Sequence, residues 1–308
     1  MIQVKNLTKC YGDHTAVSDL SFTVEKGQIY GFLGPNGAGK STTMNIMTGC
    51  LSATAGQVTI GGFDIFENAK QAKKLIGYLP EQPPVYPERT PREYLTFIAR
   101  AKNVPAKKIS AELQRVMEIT GIAHVADRLI KHLSKGYRQR VGIAQAILGD
   151  PEVIILDEPT VGLDPIQIIE IRDLIRALGQ DHTVILSSHI LSEVQAVCTT
   201  IMIIAHGQLK ACDTPENLEK IYTSTSTVEL VAEADKSDLQ TLLAPLGDME
   251  FTEDCVRFTV DRGQEDDLCR QIFRILCDHN TPILRLHVIK PTLEDIFLQL
   301  TADEKEEI

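Results

Sequence analysis

The stretch GPNGAGKST at residues 34–42 constrains this chain more than any other. It fits G-x-x-x-x-G-K-[ST] through Gly34, Gly39, Lys40 and Ser41, with Pro35, Asn36, Gly37, Ala38 and Thr42 completing the loop. A β-rich run, GQIYGFL (27–33), leads into it, and a helical pattern follows to about Cys50. In that setting the glycines let backbone N–H groups curl around phosphate oxygens, and the helix N-terminus adds positive potential. Lys40 is placed to reach the β- and γ-phosphates of a nucleotide, and the Ser41 hydroxyl to ligate Mg²⁺. Further along, alternating strand and helix patterns argue for a parallel α/β sheet. EVIIL (152–156), TVILS (183–187) and TIMII (200–204) read as buried strands, with a helix starting at Asp164-Pro165 between the first two.

A second motif narrows the chemistry. IILDEP (154–159) is an apolar strand ending in two carboxylates. Asp157 is expected to support Mg²⁺, and Glu158 to polarise an attacking water. A catalytic carboxylate at this point favours hydrolysis over transfer to a hydroxyl substrate. No N-K-x-D element is present to read guanine.

A third stretch, LSKGYRQRVG (133–142), begins as a helix should, with Ser134 as N-cap and Gly136 allowing close approach to an anion. With these stretches in register, residues 1–220 resemble the ATP-binding subunits of ABC transporters. The resemblance implies a P-loop NTPase fold: a RecA-like parallel core, an N-terminal antiparallel β subdomain and an inserted helical subdomain at about 83–145. It also implies roles for further residues. Tyr11, in CYGDHTAV, stacks on adenine; Gln82, in GYLPEQPP, contacts Mg²⁺ and joins catalysis; Asp164 belongs to the D-loop; His189, in SSH (187–189), is the switch histidine. The family signature is usually spelled LSGGQ, so Lys135 and Tyr137 depart from it. Lys135 either adds a cation near phosphates or points to solvent. The cofactors implied are ATP and Mg²⁺. The partners implied are a transmembrane permease and a second ATP-binding subunit, identical or homologous, so that Lys40 of one faces Ser134 and Gly136 of the other.

Residues 90–132 read as mostly helical, opening with a capping box at Thr90-Pro91-Arg92-Glu93 and an apolar stripe of Tyr94, Leu95, Phe97 and Ile98. The proline-bracketed PPVYPE (83–88) is either a permease contact or a stiffened loop. Periodicity fades near TSTST (223–227). The expected organisation is therefore an ATP-binding domain at 1–222, a small α+β domain at 226–302 and an acidic tail at 303–308. That second domain closes on PTLEDIFLQLT, with Leu293, Ile296, Phe297 and Leu300 on one helical face. Such an ending resembles the drug- and polysaccharide-export and gliding-motility branch of bacterial ABC ATPases.

Charge divides along the same line. Residues 1–225 balance 23 basic against 23 acidic side chains, while 226–308 hold 8 against 19. Residues 70–140 carry 15 basic and 6 acidic side chains, which suits either solvated helix faces or an anionic membrane surface. Few aromatics accompany those cations, so nucleic acid is not expected as a partner. The seven cysteines form no C-x-x-C pair, and no apolar run approaches the ~20 residues that span a bilayer. The expected place of work is the cytoplasmic face of a cell membrane, held there by the permease. Two other functions compete: a soluble ABC ATPase acting on ribosomes or DNA, and an ATP-dependent regulator. Against the first, the sequence shows neither the paired cassettes nor the long coiled-coil insert of such proteins, and Glu158 argues against a non-hydrolysing regulator.

Overall fold

The computed structural model describes residues 1–222, 225–252, 254–289 and 292–302. Its first compact unit comprises Met1–Pro215 and the chain end from Leu300, and its second Glu216–Gln299. The first contains strands β1 (Ile2–Tyr11), β2 (His14–Val24) and β3 (Ile29–Leu33), helix α1 (Lys40–Met47), β4 (Ala55–Ile60), β5 (Phe63–Asp64), α2 (Ala69–Lys74) and β6 (Ile76–Leu79). Helices α3 (Pro91–Ala101), α4 (Ala106–Ile119) and α5 (Lys135–Ile147) follow, inserted between β6 and β7 (Val153–Leu156). The unit continues with α6 (Pro165–Leu178), β8 (Thr183–Ser188), α7 (Leu191–Val197), β9 (Thr200–Ala205) and β10 (Gln208–Asp213). No sequence expectation had covered α7 or β10.

Two sheets form this unit. The six-stranded one runs β10-β9-β3-β8-β7-β6, parallel except for β10. All four residues of β7 and all five of β3 are buried, as strands covered on both faces must be. The other sheet, β2-β1-β4-β5, is antiparallel, with β2 at its edge. Its buried residues Val17, Leu20, Phe22 and Val24 do not simply alternate. The register slips between the pairs Leu7–Leu20 and Lys9–Val17, and Asp19 has φ +50°. One core joins the two sheets, including Phe22 and Phe32 edge to face at 5.3 Å.

The insert starts as its sequence dictates. Thr90 Oγ1 accepts from the Glu93 N–H at 3.2 Å, and Glu93 accepts from the Thr90 N–H at 3.1 Å, with Pro91 opening α3. The expected apolar stripe is half right. Tyr94 and Leu95 are buried, but Phe97 is 50% exposed. It lies on the outer flank of α3, 5.8 Å from the ring of Tyr86, itself exposed.

Helix α8 (Pro215–Tyr222) leads to the second unit: β11 (Thr225–Ala232), α9 (Lys236–Leu243), β12 (Met249–Phe251), β13 (Val256–Asp261), α10 (Glu265–Asp278) and β14 (Ile283–Ile289). A last helix, α11 (Leu293–Thr301), buries Leu293 and Ile296. The strands form one antiparallel sheet, β12-β13-β11-β14. Val228, Leu230, Val256 and Phe258 of that sheet share a core with Leu239, Leu243, Leu268, Ile272 and Leu276 of α9 and α10. The acidic tail at 303–308 and residues 223–224 of the expected junction lie outside the described residues.

Candidate functional site

Four neighbouring parallel strands, β3, β8, β7 and β6, end at one edge of the sheet, and each delivers polar groups there. This is where open α/β sheets bind ligands. From β3 the chain turns through residues 34–39 into α1. A Cβ at Gly34 would stand 2.2 Å from the Ile204 carbonyl oxygen, and one at Gly39 2.6 Å from that of Ala16. Gly39 also has φ +99°, a region that favours glycine. Helix α1 begins without a side-chain cap, which leaves its first N–H groups to an anion.

Lys40 is 6% exposed, and its ammonium donates to the carbonyls of Gly34 at 2.7 Å and Pro35 at 3.1 Å. It lies 3.9 Å from Glu158 Oε1. Burial lowers its pKa from the ordinary lysine value, while Glu158 and Asp157 pull the other way. The cradle therefore holds a cation that phosphate can claim.

Asp157 and Glu158 leave β7 in different directions. Asp157 Oδ1 accepts from Ser41 Oγ at 3.1 Å and from Ser187 Oγ at 2.6 Å. Its own N–H donates to the Leu79 carbonyl at 2.9 Å, tying it to β6. Glu158 has φ +48°, a conformation costing a side-chain-bearing residue about 1–3 kcal/mol and kept chiefly at working sites. The Glu158 N–H donates to Ser187 Oγ at 2.8 Å, which holds that turn. His189 Nδ1 lies 3.0 Å and 3.2 Å from the two carboxylate oxygens of Glu158.

These groups surround a cavity of about 410 Å³ lined by residues 36–42 with Tyr11, His14, Ala16, Glu81, Glu158, Val161 and His189. The loop, Tyr11, Glu158 and His189 thus meet as the sequence suggested. Gly34 and Pro35 serve through the carbonyls that hold Lys40, and Asp157 stands behind Ser41. Gln82 is exposed and does not line the cavity; its neighbour Glu81 does. Sequence reasoning also passed over Ser187, quoted only beside His189, and His14. The serine signals its role only through the register that sets β8 against β7.

Ser134, Gly136 and Asp164 lie outside the cavity lining and gather elsewhere. Ser134 caps α5 by accepting from the Tyr137 N–H at 3.4 Å, and Asp164 caps α6 by accepting from the Gln167 N–H at 2.9 Å. The two helix starts touch: a Cβ at Gly136 would stand 2.6 Å from Gln167 Oε1. Lys135 bends over the 161–164 loop, its Nζ 2.2 Å from where a Cβ of Gly162 would be. Tyr137 Oη pairs with His124 Nε2 at 3.0 Å. Both departures from the usual signature thus have neighbours of their own.

The chain as a whole is similar to known proteins. The family model for "ABC transporter" matches residues 17–161. The bacitracin transport ATP-binding protein BcrA of Bacillus licheniformis is 36% identical over 303 residues, covering 97% of each chain. The linearmycin resistance ATP-binding protein LnrL of Bacillus subtilis is 33% identical over 309 residues, covering 98% of each. A solved ATP-binding subunit of an ABC transporter superposes with TM-score 0.66 at 28% identity, covering 72% of this chain and 93% of its own. The chain belongs to the ATP-binding subunits of ABC transporters, and its reaction is ATP hydrolysis.

Proposed function

We propose that two such subunits face each other and share each ATP between the loop of one and the signature of the other. One observation carries this reading: Ser134 and Gly136 lie outside the lining of the cavity that holds Lys40. A second copy, or a homologue, supplies them. On this reading Ser134 Oγ and the first N–H groups of α5 meet the γ-phosphate from the far side.

The geometry supports a set of hydrolytic roles. Lys40 leaves the carbonyls of Gly34 and Pro35 for the phosphates, which frees Glu158 from its 3.9 Å ion pair. Glu158 then orients and polarises the attacking water, with the His189 ring holding the carboxylate in place. Tyr11, half exposed at the cavity mouth, offers its ring to adenine. The Ser41 hydroxyl and Asp157 carboxylate are hard oxygen donors 3.1 Å apart, a set that suits Mg²⁺ completed by phosphate oxygens and water. Bound there, Mg²⁺ neutralises charge that develops on the transferred phosphoryl group.

The work driven by this cycle is export through a separately encoded permease, which keeps the subunit at the cytoplasmic face of the membrane. The named relatives act in bacitracin transport and linearmycin resistance, which supports that direction. The exposed rings of Tyr86, within PPVYPE, and of Phe97 beside it offer the permease an aromatic landing site. With it goes a division of labour: ATP-binding at 1–222, with the α+β domain at 226–302 taking no part in catalysis.

Mixing two inactive variants tests the shared site. Lys40→Ala spoils only the loop side, and Ser134→Arg only the signature side. Mixed dimers then contain one intact composite site, so turnover above that of either variant alone is expected. A mixture no more active than its components would reject sharing.

A further inference from the structure

The geometry points to Glu193 as a positioning residue, one that ties the segment carrying Glu158 to the segment carrying His189 and so sets their spacing. This rests on the hydrolytic roles proposed above for those two side chains. Glu193 belongs to α7, is 5% exposed and does not line the cavity. One of its carboxylate oxygens, Oε2, accepts from two hydroxyls at once: Thr160 Oγ1 at 2.5 Å and Ser188 Oγ at 3.0 Å. Thr160 stands two residues after Glu158, and Ser188 immediately precedes His189. Ser188 Oγ in turn accepts from the Ile190 N–H at 3.0 Å, so bonds hold the chain on both sides of His189.

Glu193 is itself anchored. Val194, next to it, packs against the strand that feeds the phosphate loop: a Cβ at Gly31 would stand 2.2 Å from Val194 Cγ1. Arg176 of α6 donates to the Ala196 carbonyl at 2.7 Å, which fixes the far end of α7. A carboxylate is a costly group to bury, and an apolar side chain would fill the same space for less. What this one provides is a single acceptor shared by two segments far apart in the chain. Ser187 holds the Glu158 N–H, and Glu193 holds the chain just beyond it. The contacts of His189 Nδ1 with Glu158, at 3.0 Å and 3.2 Å, depend on both ties. A shift of about 1 Å in a group that orients the attacking water costs on the order of 100-fold in rate. Nucleotide affinity is set by the loop and Tyr11, and does not depend on this tie.

The experiment measures kcat and KM for ATP hydrolysis by the full chain, ATP affinity by calorimetry, and thermal melting. Glu193→Met keeps the length of the side chain and removes the acceptor. Glu193→Gln keeps one oxygen able to accept from both hydroxyls. Thr160→Val removes one tie and leaves Ser188 bonded, which guards against misfolding of the Met variant. Glu193→Met should lower kcat by about 10–100-fold and Thr160→Val by a smaller factor, with KM and ATP affinity within about twofold. Glu193→Gln should recover the rate to within about threefold of the wild type. Met and Val variants that melt earlier yet turn over at the wild-type rate would make Glu193 structural only and overturn the proposal. A Gln variant as slow as the Met variant would overturn it too, because the shared oxygen would not be what matters. Glu158→Gln is the control: wild-type turnover there would reject the role of Glu158, and this proposal with it.

Discussion

Ser187 shows how much of this site depends on one small side chain. Its hydroxyl donates to Asp157 and accepts from the Glu158 N–H, so a fully buried oxygen orders both carboxylates at once. Replacing it with alanine leaves that N–H unpaired next to a residue already at positive φ. We expect Ser187→Ala to cost about 1–3 kcal/mol of stability and to lower kcat more than it raises KM for ATP. Denaturant melts and steady-state kinetics check both. Gly39→Ala should fail differently. Its Cβ meets the Ala16 carbonyl and its backbone sits at φ +99°, so the loop must rebuild. Loss of nucleotide binding, read by fluorescence titration, is the expected outcome. The placing of Gly39, Lys40 and Ser41 in one cradle was legible in sequence because spacing alone encodes their geometry. Glu81 against Gln82 was not, because a one-residue choice after a strand depends on how the following prolines turn the chain.

Helix α5 carries the signature at its start and needs support at its end. Lys102, from the turn after α3, donates to the carbonyls of Gln145 at 2.9 Å, Ala146 at 2.9 Å and Leu148 at 2.8 Å. These belong to the last turn of α5, where carbonyls lack helical partners and a cation is favoured. Lys102→Met should destabilise the unit by about 1–3 kcal/mol, seen as a lower melting temperature, with the nucleotide cavity intact in the folded protein. The elements themselves read clearly from sequence where caps and buried runs coincide, as at Thr90–Glu93 and Val153–Leu156. The exposure of Phe97 was not legible, because helical spacing identifies a stripe without saying how wide a neighbour covers it. Helix α7 and β10 escaped notice for another reason. They are short, and β10 is half exposed at a sheet edge, so its pattern is weak.

At the scale of the whole molecule, every residue lining the nucleotide cavity lies at or before His189, within the unit Met1–Pro215. A chain ending at residue 222 should therefore bind ATP with the affinity of the full chain; a loss of binding in a folded truncation would assign the acidic second unit a part in the site. That unit was visible in sequence as a change of charge and period, yet neither says what it does. On the reading proposed above, the ATP site is completed only between two subunits. Glu158→Gln keeps the shape of the side chain but removes the charge that polarises water, so ATP should remain bound and the dimer closed. Light scattering of this variant with and without ATP is the most direct measurement. The mass should double on adding ATP and return to that of one chain when Ser134→Arg is combined with it. A variant that binds ATP and still weighs one chain would contradict it.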